Sequence, residues 1–293
     1  MTETSRGHLA MLAFSALVAG SFSLGSLSAN EIDPAAFNAV RFLLAAVLIG
    51  FAAWFGKGVP RSTLTAPWRY LILGGLFATY FVLMFEGLKT AAPVSTAAVF
   101  TLTPLMSAGF GFALLRQITT RRMWLALAIG AIGALWVIFR ADFEAFLQFR
   151  VGQGEIYYFF GCIAHALYTP MVRKLNRGET PLVFTLGTLI AGFVLLTGYA
   201  WSDLRAVDWV ALPSIVWIAL VYVAVFATAG SFVLLQSAAL RLPSAKVMAY
   251  TYLVPSWVAV WEIALGNGVP NVLVLGGVAL TIVALLLLLR DEH

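Results

Sequence analysis

Gly87-Leu88-Lys89-Thr90-Ala91-Ala92-Pro93-Val94-Ser95-Thr96-Ala97-Ala98-Val99-Phe100-Thr101-Leu102-Thr103-Pro104 is the stretch whose reading decides the fold. A cation closes one apolar run, Pro93 opens the next, and Pro104 falls eleven residues later in its middle. The second half of the chain repeats the pattern. Ala239-Leu240-Arg241 is followed by Pro243 and, twelve residues on, by Pro255. Two other landmarks recur. Pro34-Ala35-Ala36-Phe37 matches Pro181-Leu182-Val183-Phe184, and Gly130-Ala131-Ile132-Gly133 matches Gly276-Gly277-Val278-Ala279.

The surroundings of these motifs are apolar throughout. Of 293 residues, 61% are hydrophobic and 11% charged, against about 45–50% and about 25% in soluble domains. No soluble fold has the interior to hide that much apolar surface. A soluble enzyme, a nucleic-acid module and a disordered scaffold are excluded. One cysteine, Cys162, and three scattered histidines, His8, His165 and His293, make neither a disulfide framework nor a metal cluster. No phosphate-binding loop, His-Glu-x-x-His or nucleophile elbow is present. The expectation is a chain with no catalytic residue, no metal and no cofactor.

A helix needs about 20 mostly apolar residues to cross a hydrocarbon core of about 30 Å. The runs do not alternate with period two, so they read as helices. Ten are expected, at 8–28, 34–55, 67–88, 93–115, 122–139, 154–174, 180–200, 212–237, 244–265 and 271–289. The first also has the look of a signal peptide, with Arg6 ahead and Ser26-Leu27-Ser28-Ala29 behind. It is long for one, and the repeat requires it as a retained helix. With the N-terminus in the cytoplasm, the inner segments hold twelve cations: Arg6, Lys57, Arg61, Arg69, Arg116, Arg121, Arg122, Arg173, Lys174, Arg177, Arg241 and Arg290. The outer ones hold four, Lys89, Arg140, Arg150 and Arg205. The positive-inside rule then puts both termini in the cytoplasm.

Five spans is an odd number, so the half over 146–293 enters the membrane opposite to the half over 1–145. Inverted repeats are the architecture of secondary transporters, which alternate between inward-open and outward-open shapes. Ten helices as five plus five resemble the drug/metabolite transporter superfamily, in its branch of two EamA domains. The resemblance rests on a small-residue-rich fourth span carrying a mid-helix Pro, with Lys or Arg just before it, and it covers essentially the whole chain. It implies an all-α membrane protein of the bacterial inner membrane. Within the branch, the chain is most similar to exporters of amino acids, aromatic ones included. The alternative solute class is multidrug or organic cations. The resemblance also implies that spans three, four, eight and nine, with one and six, line a central cavity, and that five and ten are peripheral. Many relatives end the fourth and ninth helices with Glu and a polar turn. Here Arg116-Gln117 and Gly266-Asn267 stand there, with Glu262 a turn earlier, so no role for that Glu carries over.

Transport needs a cavity, weak contacts to solute and hinges. His165 falls at the middle of span six, where an ionisable group is by default functional. It either meets solute or proton, or sits neutral against a neighbouring helix. Arg41 lies about two turns into span two. It either anchors that end to Glu31, Asp33 or headgroups, or faces the cavity and attracts a carboxylate. Tyr80, Phe100, Tyr168, Tyr250, Tyr252 and Trp257 fall deep in their spans, and rings with phenols suit an amphipathic solute. The alternative for each is helix packing. Pro104 and Pro255 kink their helices, either as hinges or as static bends. Lys246 reads as snorkelling to the cytoplasmic interface, and Glu86 and Glu262 as interfacial. Trp54, Trp68, Trp201, Trp209 and Trp261 read as belt residues. The partners expected are amino acids or related small metabolites and the lipid bilayer, with no nucleic acid. Because two repeats complete one cavity, a monomer suffices.

Overall fold

The structure, a computed structural model, describes residues 3–56, 58–139, 142–144, 148, 151–269 and 271–289. Lys57, Arg140, Arg150 and Arg290, which enter the charge argument, lie outside these residues, as does the expected repeat boundary at 145–146. Among the described residues the regular structure is entirely helical. The first five helices are α1 (Glu3–Ser28), α2 (Pro34–Phe55), α3 (Trp68–Leu88), α4 (Pro93–Phe100) and α5 (Thr103–Leu115). Then come α6 (Arg121–Ile138), α7 (Gln153–Leu175), α8 (Pro181–Tyr199) and the short α9 (Trp201–Ala206). The last are α10 (Ser214–Ala224), α11 (Ser231–Ala239), α12 (Ser244–Ala249), α13 (Val254–Ala264) and α14 (Val272–Leu289).

The recurring Pro motifs mark helix starts for a local reason. Asp33 accepts from the backbone N–H groups of Ala35 (2.9 Å) and Ala36 (2.8 Å), and Pro34 opens α2. Thr180 accepts from Val183 N–H, and Pro181 opens α8. A proline in the first turn loses nothing, because its missing N–H has no intrahelical partner there. Pro104 and Pro255 use the same position. Each stands in the first turn of α5 or α13, the second half of a broken helix. Ahead of them, the backbone tightens. Thr101 N–H bonds to Ala98 O and Leu102 N–H to Val99 O, both at 3.0 Å, and Tyr250–Leu253 forms a 3₁₀ turn. A third break has no proline. Between α10 and α11 the chain runs through a π-helical segment, Val225–Gly230.

Among the described residues, seven helical runs are long and apolar enough to cross a membrane: α1, α2, α3, α4 with α5, α6, α8, and α10 through α11. In α14 the described apolar stretch, Val272–Leu288, is shorter. The other two expected crossings differ for visible reasons. α7 carries Glu155 near one end and Arg173 and Lys174 at the other, and the α12–α13 run is cut by its 3₁₀ turn. Trp54, Trp68 and Trp201 are exposed, as belt residues are, while Trp209 and Trp261 are half-buried.

The packing partners come in matched sets. α2 packs on α8 and α6 on α14. α1 packs on α10, α11 and α13, and α7 packs on α3, α4 and α5. α5 meets α12, and α4 meets α13. The Gly-rich motifs turn out to face each other. A Cβ at Gly133 would lie 2.7 Å from the Gly277 carbonyl oxygen, and one at Gly277 would lie 2.7 Å from that of Gly133. Without a hydrophobic drive between helices in lipid, this close backbone approach supplies dispersion contact.

Candidate functional site

Aromatic side chains from several helices converge at the middle of the bundle. On α3, Phe77, Tyr80, Phe81 and Met84 follow the i, i+3, i+4, i+7 spacing of one helix face and are all buried. On α7, Tyr158, Cys162, His165, Tyr168 and Thr169 do the same. α4 contributes Phe100, α1 Phe22, and α11 Phe232 and Gln236. Ring centroids of Phe77 lie 3.9 Å from Tyr168 and 4.1 Å from Phe232. His165 lies 4.5 Å from Tyr80 and 5.0 Å from Phe100. The hydroxyls of Tyr80 and Tyr158 share a hydrogen bond of 2.9 Å. His165 is 1% exposed, and its Nδ1 has no partner. Gln236 is fully buried; its Nε2 donates to the Tyr168 hydroxyl (2.8 Å) and its Oε1 has no partner.

Arg41 borders this cluster. It is fully buried, with its guanidinium 3.6 Å above the Phe81 ring. Its Nε donates to Thr228 Oγ1 (2.6 Å), one terminal nitrogen to Asn38 Oδ1 (3.3 Å) and the other to the Ala227 carbonyl (3.1 Å). The π-helical turn explains the last contact, because a widened turn leaves carbonyls turned out of the helix ladder. No described carboxylate pairs with Arg41. The expected anchoring to Glu31, Asp33 or headgroups is therefore corrected: Asp33 is spent capping α2, and the guanidinium turns inward to α10–α11.

Of the residues singled out from the sequence, Tyr80, Phe100, His165 and Tyr168 come together, with Arg41 beside them. Tyr250, Tyr252 and Trp257 do not join them. The Tyr250 hydroxyl meets His8 Nδ1 at 3.0 Å, near the start of α1. Tyr252 lies against Gly130 of α6, and its carbonyl accepts from Thr281 of α14. Trp257 Nε1 donates to Ser15 (3.3 Å) in the α1–α13 seam, and the ring is 38% exposed. The 3₁₀ turn rotates these positions off the face that a continuous helix would present. Lys246 is buried rather than snorkelling, and Glu86 pairs with Lys89 at 2.9 Å. The reading from sequence missed Phe77, Phe81, Tyr158, Phe232 and Gln236. The α3 and α7 members were open to it through their spacing from Tyr80 and His165.

Helix ends meet on both sides of this centre. Where α3 ends, Ser95 Oγ donates to Glu155 Oε1 (2.8 Å), and a Cβ at Gly87 would lie 2.6 Å from the Gly154 carbonyl oxygen. At the other end of α1, Arg241 donates to Glu3 (2.6 Å) and Gly7 lies against Leu242. At the start of α3, Arg69 is 1% exposed and donates to Glu179 (2.6 Å) and to the Leu175 carbonyl (2.7 Å). Burial alone would raise the Glu179 carboxyl. The bonds from Arg69 and from Arg177 N–H outweigh it and hold the group below the usual carboxylate range.

A helical bundle with a buried aromatic centre, and beside it a buried arginine that no described carboxylate pairs, suits passage of a small solute better than chemistry upon it. The comparisons agree. The model of the EamA-like transporter family matches twice, over residues 5–139 and 152–290. "Uncharacterized transporter YyaM" of Bacillus subtilis (strain 168) is 27% identical over 274 residues, covering 92% of this chain and 90% of that protein. An "Uncharacterized transporter" of Archaeoglobus fulgidus is 24% identical over 299 residues, covering 99% of each. A solved crystal structure superposes with a TM-score of 0.72 at 21% identity, over 99% of both chains, and so shares the fold. With two matches that together span nearly its whole length, the chain belongs to the EamA-like transporter family.

Proposed function

We propose that the protein exports amino acids, aromatic ones included, across the bacterial inner membrane by alternating access. It crosses ten times, as inverted halves over 1–145 and 146–293, with both termini in the cytoplasm, and works as a monomer. The matched packing supports the repeat: α1 stands to α10, α11 and α13 as α7 stands to α3, α4 and α5. The family match supports the transport.

Arg41 carries the choice of solute. A guanidinium has five N–H bonds, and three are taken by Thr228, Asn38 and Ala227. The remainder suit a carboxylate. Two like charges 4 Å apart repel by about 4 kcal/mol at an effective dielectric constant of 20, so the same group disfavours an organic cation. In the mechanism, solute enters from the cytoplasm, its carboxylate meets Arg41 and its side chain meets Tyr80, Phe100, Tyr168 and His165. The halves rock about the breaks at Pro104 and Pro255, and the solute leaves outside.

Flux of labelled phenylalanine and threonine in proteoliposomes, with and without a pH gradient, tests this. The expected result is saturable flux of both, indifferent to the gradient and abolished in Arg41→Gln. Dependence on the gradient that vanishes in His165→Ala would make His165 a proton carrier. Flux of an organic cation with none of either amino acid overturns the proposal.

A further inference from the structure

Two polar atoms in the aromatic centre are buried without a partner, Gln236 Oε1 and His165 Nδ1. Gln236 Nε2 donates to the Tyr168 hydroxyl at 2.8 Å. The amide oxygen is therefore the unpaired atom, and an amide oxygen only accepts. His165 and Tyr168 stand three residues apart on one face of α7. One ring touches everything around them. Phe77 lies 3.9 Å from Tyr168, 4.1 Å from Phe232 and 5.3 Å from His165, measured between centroids.

Buried acceptors without donors are rare, because each forfeits its hydration for nothing. We infer that Gln236 Oε1 accepts from the ammonium group of the solute, and that the Phe77 ring fills the place of the solute side chain while the site is empty. This rests on the amino-acid reading of the site. An ammonium brings three N–H donors, and the ring of Phe232, one helical turn from Gln236, favours a cation. An incoming aromatic side chain replaces the contacts that Phe77 makes with Tyr168 and Phe232, so apolar burial changes little. Selectivity then falls to the polar atoms. A solute lacking the ammonium displaces Phe77 and leaves Oε1 unpaired.

The test uses the full chain in proteoliposomes. Labelled phenylalanine flux is competed by phenylalanine and by 3-phenylpropionate, which has the carboxylate and ring without the ammonium. In the wild type the analogue is expected to compete at least about a hundredfold more weakly. In Gln236→Leu that ratio shrinks about tenfold or more, with thermal melting in detergent as the check on folding. Gln236→Glu keeps an acceptor and keeps the discrimination. Phe77→Leu lowers the half-saturating phenylalanine concentration several-fold. An unchanged ratio in Gln236→Leu, or its collapse in Gln236→Glu, overturns the ammonium site. A raised half-saturating concentration in Phe77→Leu overturns the role of the ring. Absence of wild-type phenylalanine flux defeats the amino-acid reading and this inference with it, whereas wild-type flux with unaltered ratios defeats this inference alone.

Discussion

Arg41 and Arg69 are both buried arginines, and they differ in what they pair with. Arg69 has Glu179; Arg41 has a hydroxyl, an amide and a carbonyl. Arg41→Lys keeps the charge and loses the planar fork that reaches Thr228, Ala227 and Asn38 at once. Phenylalanine flux is expected to fall at least about tenfold, in proteoliposomes with matched protein content. Breaking the Arg69 pair has a different signature. The Glu179 carboxyl titrates lower folded than unfolded, so its stabilisation is present above the unfolded value, near 4.3. That stabilisation is lost as pH falls through the depressed one. Glu179→Gln should remove about 3 kcal/mol at neutral pH and flatten the decline of melting temperature below pH 5, read by thermal denaturation in detergent. The sequence placed Arg41 inside an apolar run. Its partner Thr228 is 187 positions away, and no local pattern connects them.

Helices break here at three places. The breaks before α5 and α13 were legible because Pro104 and Pro255 stand in them. The π-helical turn at Val225–Gly230 was not legible, since Val-Phe-Ala-Thr-Ala-Gly propagates an ordinary helix as well. The same limit explains Tyr250 and Tyr252. Depth in the span was readable, but the side to which a residue points depends on three or 3.6 residues per turn. Pro104→Ala and Pro255→Ala sit where no intrahelical bond is missing, so stability should change by less than about 1 kcal/mol. If these breaks are the hinges, the maximal flux rate falls several-fold while the half-saturating concentration holds. Concentration series in proteoliposomes decide it, and unaltered maximal rates leave the bends static.

Contacts between helix ends flank the aromatic centre on both sides. Glu155 and Gly154 meet Ser95 and Gly87 at one end, while Glu3 and Gly7 meet Arg241 and Leu242 at the other. A Cβ at Gly154 would overlap the Gly87 carbonyl oxygen and lie 2.6 Å from Thr90 Oγ1. Gly154→Val should therefore wedge this seam open. The native thiol reports it: Cys162 is fully buried and is the chain's one cysteine. A membrane-impermeant thiol reagent added on the side of that seam is expected to label Gly154→Val and to leave the wild type unmodified. At this scale the sequence was most informative, because recurring motifs constrain a whole architecture and the family model matches twice; the seams, made by residues from separate helices, had no signature. The buried rings have a consequence for leakage. With Phe77, Phe100, Tyr158 and Tyr168 each almost wholly covered, whatever passes between the two ends has to part ring from ring. A small ion that gains nothing from the rings it displaces is turned back by the packing itself.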